Sequence, residues 1–151
     1  MPGLIWDARE LDEFIGHLEK IPQQKEQERK AFMRKEGTKL RRKTVKEATS
    51  KVRKTAVVRK KWTRVAGQYH KSIKRGRWYK RQGEYNNIRV YSSDPIAHLI
   101  ELGFTPVLRN GTKGNRVSGK KVFENAADKF EPEFDQACEE FAAGYKSEIE
   151  R

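Results

Sequence analysis

Residues 73–103 read IKRGRWYKRQGEYNNIRVYSSDPIAHLIELG. Two periodicities stand side by side in this stretch. Over residues 73–79, and again over 87–91, β-branched and aromatic side chains alternate with polar ones, the period-two pattern of a half-buried strand. The turn-rich RQGEYN lies between the two runs, so a β-hairpin is expected. Ser93-Asp94-Pro95 then reads as a helix start, with Asp94 as N-cap and Pro95 as the first residue. The short helix IAHLIEL should stop at Gly103, where a left-handed conformation ends it. A hairpin feeding a helix, with helical patterns on either side, predicts the α+β class. The expected architecture is a long N-terminal helix and a C-terminal helix packed on a small antiparallel β-sheet.

Toward the N-terminus, Asp7 and Glu10 resemble a capping box, and Leu11, Phe14, Ile15, Leu18 and Ile21 follow at helical spacing. They predict a short amphipathic helix over residues 8–20, ended by Pro22 or followed by a new helix that Pro22 opens. From Pro22 to Val52 only Gly37 interrupts, and Ala31, Phe32, Met33, Leu40, Val45, Ala48 and Val52 make a narrow apolar stripe on a charged helix. Gly37 costs about 1 kcal/mol against Ala in a helix, so a kink there is an option. Residues 51–66 (KVRKTAVVRKKWTRVA) read either as more helix or as a mobile basic loop.

Toward the C-terminus, residues 104–119 hold three Gly, one Pro and two Asn, a loop long enough to suggest a function or an ordering partner. Residues 105–108 could add a strand. From Lys120 onward the period is helical again, with Phe123, Phe130, Phe134 and Phe141 as the packing residues and Pro132 as an expected kink or restart. The chain thus divides, as one domain over 1–151, into a helical part (1–66, with a basic arm from about residue 25), a hairpin–helix–loop part (67–119) and a C-terminal helix (120–151).

Charge follows a different division. Residues 25–81 carry 23 Lys or Arg against four acids, whereas residues 1–24 are net −3 and residues 122–151 net −6. A basic middle between acidic ends attracts polyanions, and it lets copies of the chain attract one another. Only 35% of residues are hydrophobic and 36% are charged, against roughly 45–50% and 25% in an average domain. The core must be small, so either part of the chain is solvated or neighbouring subunits complete the fold.

Several function classes have little support. The lone Cys138 excludes an internal disulfide, and no Cys/His set has zinc spacing. No apolar run approaches the ~20 residues of a membrane span. The first dozen residues lack the basic start and apolar stretch of a signal peptide, so synthesis in the cytoplasm is expected. His98 and Glu101, three apart on one helix, are the sole candidate for metal binding or acid–base chemistry, and a His at an interface beside a salt-bridged Glu explains them as well. The expectation is a protein with no catalytic residues, no cofactor and no metal.

Two binding readings remain. Lys39, Arg41, Arg42, Lys43 and Lys46 could line one cationic helix face, and Lys74, Arg75 and Arg77 lie among Tyr69, Trp78 and Tyr79. Bases interleaved with aromatics suit phosphate neutralisation with stacking, yet an acidic protein surface would be recognised equally well.

The order of features over residues 65–124 resembles a known family. VAGQYHKSI, a hairpin ending in IRVYSSDPIAHLIELG, a glycine-rich loop and then GKKVFENAA are similar to the neck or tail-completion proteins of long-tailed phages. Gly67, Ser72-Ile73, Ala97-His98-Leu99-Ile100-Glu101-Leu102-Gly103 and Val122-Phe123-Ala126 carry the resemblance; Leu102 stands where the family often has an aromatic. The resemblance implies a non-enzymatic virion protein, made in the host cytoplasm and placed at the head–tail junction. It implies a homo-oligomeric ring, a hexamer by preference. The implied neighbours are connector or stopper proteins and tail-terminator or tail-tube proteins, with packaged DNA as a further partner and no membrane. His98, Glu101 and Gly103 would form the motif helix. An acidic 124–150 segment of one copy meeting the basic 39–64 region of the next would suit such a ring.

Overall fold

Residues 5–6, 26–81 and 85–149 are described by the computed structural model. The chain runs β1 (Ile5–Trp6), α1 (Glu26–Lys51), β2 (Val57–Arg59), β3 (Trp62–Arg64), α2 (Gln68–Ser72), β4 (Ile73–Arg75), β5 (Tyr79–Arg81), β6 (Tyr85–Asn87), β7 (Val90–Ser92), α3 (Ala97–Leu102), β8 (Gly103–Phe104), β9 (Val117–Ser118) and α4 (Val122–Ile149). The class is α+β as expected, with α1 and α4 packed together and only small antiparallel sheets. The helix anticipated over 8–20 and the hairpin turn at 82–84 lie outside the described residues.

α1 is the spine. Its first turn is acidic and its last turn basic, which complements the helix dipole. Its buried row, Arg29, Met33, Glu36, Gly37, Thr44, Glu47 and Ala48, recurs at steps of three and four but is mostly polar. The helix is continuous through Gly37, so no break occurs there. A methyl at Gly37 would stand 2.6 Å from Ile88 Cγ2 and 3.3 Å from Arg75 Cδ. The glycine makes room for the hairpin to lie on the helix.

That hairpin is two ladders. β4 pairs with β7 (Ile73↔Ser92, Arg75↔Val90), and β5 pairs with β6 (Tyr79↔Asn87, Arg81↔Tyr85). The Gly76 N–H donates to the Arg89 carbonyl at 2.7 Å, so Arg77 and Trp78 stand opposite Ile88 alone. Two residues facing one make a bulge, which re-aims side chains locally. Trp78 and Ile88 both turn onto the cluster of Met33, Phe130, Phe134 and Cys138. β1 adds to the other edge of β7, making the three-stranded order β1-β7-β4.

The second cluster joins Ala48, Tyr69, Ile73, Val90, Ala97, Val122 and Phe123, and Leu40 of α1 packs against both clusters. Phe32 of α1 stacks on Phe141 of α4 at 4.4 Å between ring centres. α4 runs on through Pro132, against the expected interruption. Pro132 is on the exposed side of the helix, where the ring has space.

Residues 51–66 do not continue the helix beyond Lys51, and their centre is a strand pair rather than a loop. α1 ends at Lys51, and β2 and β3 form a hairpin of their own (Val57↔Arg64, Arg59↔Trp62). Val57-Val58 and Trp62-Thr63 are strand formers on either side of a Lys-Lys tip, a pattern masked by its many bases. Residues 104–119 are also partly ordered. The extra strand is at Gly103–Phe104, pairing with Val117–Ser118, rather than at 105–108. A bridge between Val107 and Lys113 and a hydrogen bond from Leu108 N–H to the Thr112 carbonyl (2.8 Å) close the tip.

Candidate assembly surfaces

The residues that carry the family resemblance are joined in one framework. Gly67 opens α2 with φ 75°, a backbone setting that favours glycine. Inside α2, His70 Nε2 lies 3.1 Å from the Ala48 carbonyl and 3.0 Å from that of Val52. Both partners are acceptors, so Nε2 carries the proton and donates at the C-terminal end of α1, where the Ala48 carbonyl also accepts from the Val52 N–H at 2.8 Å. Ser72 Oγ donates to the Tyr69 carbonyl at 2.5 Å and has only one hydrogen, so Ser92 donates in their 2.6 Å contact. The Asp94 N–H donates in turn to Ser92 Oγ at 3.2 Å.

Asp94 differs from the expected N-cap. The residue flanking α3 is Ile96, and the Asp94 carboxylate accepts from the Ile96 N–H at 3.1 Å in the turn before the helix. The same buried carboxylate is gripped by both terminal nitrogens of Arg64, one at 3.0 Å. This two-pronged pair ties the β2–β3 hairpin to the start of α3. Gly103 ends α3 with φ 80° and ψ 175°, so it is positive-φ but extended rather than left-handed helical. That conformation is essentially restricted to glycine.

His98 and Glu101 part company. His98 is exposed, while Glu101 is buried and both its oxygens are engaged. Oε2 accepts from the Phe123 N–H at 3.1 Å and Oε1 from the Glu124 N–H at 3.0 Å. Glu101 thus caps the N-terminus of α4 from a distant part of the chain, where a negative charge also meets the positive end of the dipole. It does not reach an Arg of the 104–119 loop.

The basic cluster is split between two directions. Lys39 pairs with Glu36 within α1 (2.9 Å), and Lys43 with Glu133 of α4 (2.9 Å) across the helix–helix seam. The Glu36 contact, with the charges of Glu133 and Glu140, holds the Lys39 ammonium above its ordinary range. Arg41 Nε donates to the Ile73 carbonyl at 3.0 Å on the sheet side. Arg75 is half-buried beside Gly37. Arg42, Lys46, Lys74 and Arg77 are exposed. Phe123, Phe130 and Phe134 are buried in the two clusters, and Phe141 is half-buried.

Two hairpin arms carry the apolar surface, one in the 104–119 stretch whose length suggested a function and one in the 51–66 stretch read as helix or basic loop. On β2–β3, Val58 is 79% and Trp62 52% exposed, with the Arg59 guanidinium 5.9 Å from the Trp62 ring centre. On the α3–β8–β9 arm, Leu102 (66%), Val107 (67%) and Leu108 (53%) are exposed, and Phe104 and Val117 are partly so. Both arms are acid-free, since no Asp or Glu occurs in residues 48–83 or 102–123. An apolar surface of this kind on an isolated chain marks a contact site.

No group of three or more His, Cys, Asp or Glu able to hold a metal occurs among the described residues. The buried Cys138 thiol is pushed up to about 12, chiefly by burial and then by Asp135 and Glu36, so it stays protonated and unreactive. A shallow depression of about 230 Å³ beside α2 is rimmed by Lys71 and Lys74 and open to solvent. No helix among the described residues is long and apolar enough to cross a membrane. No protein-family model matches the chain, and neither a curated protein nor a solved structure does.

Proposed function

We propose that this protein is a structural subunit of the neck of a long-tailed phage or phage-like particle. In this reading it is a ring-forming tail-completion or head–tail joining adaptor, seated between the portal-connector complex and the tail, and it has no catalytic role. The observation that carries the reading is the pair of acid-free hairpin arms. Each holds large apolar side chains out in solvent while the two apolar clusters beneath are buried. A subunit built to be covered by neighbours has this form; a self-sufficient enzyme has no use for it. The motif order from Gly67 to Phe123 supports the same reading, as does the joining of those motifs through the Ser72–Ser92 and Glu101–Phe123 contacts. Heterologous contacts between identical chains close rings, and six-fold symmetry is the closure that the resemblance implies.

The test is the mass of the purified protein, alone and mixed with connector and tail components, together with its presence in mature particles. Assembly into a ring or with those components is the expected result. A monomer under every condition that is also absent from particles would overturn the reading.

One observation favours a second reading. Residues 48–83 hold no acid, and their β2–β3 hairpin offers Arg59, Lys60 and Lys61 beside the exposed Trp62. Such a ribbon suits a nucleic-acid backbone, in the neck channel or as a stand-alone binding function. Anisotropy of random duplex DNA at about 150 mM salt separates the two. A steeply salt-dependent, sequence-blind affinity favours nucleic acid; no retention favours docking on acidic protein surfaces.

A further inference from the structure

The exposed apolar arm at residues 103–119 needs a cover, and α4 offers one of matching charge. The polar surface of α4 has two flanks. One carries Lys129, Glu133 and Glu140 and faces α1, where Lys129 binds Glu47 and Lys43 binds Glu133. The other carries Asp128, Asp135 and Glu139 at helical spacing, a ridge on which Asp128 and Glu139 are exposed and Asp135 is half-buried. Ala142 continues that ridge as a small, exposed apolar residue.

The arm has the complementary make-up. Arg109, Lys113 and Arg116 stand among Val107, Leu108 and Val117, all exposed, with no acid between Glu101 and Glu124. It springs from the cap that Glu101 places on α4, yet its own α4 leaves its apolar side chains uncovered.

We propose that the arm of one copy docks on the Asp128–Asp135–Glu139 ridge of a second copy. The inference rests on the adaptor reading and gives the acidic α4 a basic partner other than the expected 39–64 region, where Lys39 and Lys43 have acidic partners within their own chain. Arm and ridge are different patches, so the contact is heterologous and propagates from copy to copy until a ring closes. Charge sets the register, and Val107 and Leu108 supply the buried apolar area.

The test is a charge swap read by sedimentation velocity on the full chain at low salt. Arg109→Glu with Lys113→Glu reverses the arm; Asp135→Lys with Glu139→Lys reverses the ridge. All four positions are at least partly solvent-exposed, and circular dichroism melts confirm that each variant folds. Each reversal should weaken self-association at least about tenfold, and an equimolar mixture of the two variants should recover wild-type size. Val107→Ser with Leu108→Ser should weaken it without altering its salt dependence. Two results overturn the proposal: assembly indifferent to both reversals, or a mixture no better than either variant alone. A wild-type chain that assembles only with connector or tail components also overturns it, while leaving the adaptor reading in place.

Discussion

Glu101 shows how one side chain can hold two elements that are remote in sequence. Its carboxylate takes the two N–H groups that open α4, so removing it leaves a buried helix end without acceptors. Glu101→Ala should lower stability by about 2 kcal/mol, read as a lower urea midpoint with unchanged slope. Glu101→Gln, which keeps an acceptor and loses the charge, should cost less. Two glycines make a sharper pair. Gly37 is crowded by Ile88, so overpacking of about 1–3 kcal/mol outweighs the gain of about 1 kcal/mol in helix propensity, and Gly37→Ala should destabilise. Gly144 has nothing within 4 Å of its would-be Cβ, so Gly144→Ala should stabilise by up to about 1 kcal/mol. Thermal melts of the two variants should move in opposite directions.

Among the elements, the seam between α1 and α4 depends on charge as well as on Phe32, Phe130 and Phe134. Lys129 and Lys51 hold the buried Glu47 carboxyl below its ordinary 4.5, the Lys129 hydrogen bond being the larger cause. A depressed carboxyl stabilises the fold above its unfolded value and loses that contribution as pH falls through its lower folded value. Acid unfolding should therefore steepen below about pH 4.5, and Glu47→Gln should flatten that limb when the midpoint is followed against pH. α4 was legible because its apolar residues keep helical steps over its whole length. The inner face of α1 was not, because Glu36, Thr44 and Glu47 are buried there and polar residues read as solvent-facing. The Thr44 hydroxyl satisfies itself on the Leu40 carbonyl at 2.9 Å, a local bond that leaves no mark on hydropathy. The 73–92 hairpin was visible from its alternation, but its bulge was not, since the slip of register depends on what Trp78 and Ile88 touch. The β2–β3 hairpin was hidden by its bases, and the Arg64–Asp94 pair that secures it spans 30 positions.

For the whole molecule, a basic middle and acidic ends describe the sequence better than the surface. Part of that opposition is spent within the chain, at Lys43–Glu133 and Lys129–Glu47. Among the described residues, the two basic, apolar arms, the exposed Arg42, Lys46, Lys74 and Arg77 and the acids Asp128 and Glu139 of α4 remain outward. Self-association governed by these features should fall on going from about 50 mM to about 1 M salt, where screening shortens to about 3 Å, and light scattering against salt would report it. The base of the second arm sets a further property. A Cβ at Gly103 would strike the Val117 carbonyl oxygen, and one at Gly119 would strike that of Glu101, so the two strands meet there main chain to main chain. Such a hinge-free collar insulates the tip from everything below it. Foreign peptides spliced between Asn110 and Gly111 should leave the melting temperature of the subunit unchanged while weakening its self-association, which makes this spot a place where folding and assembly can be altered separately.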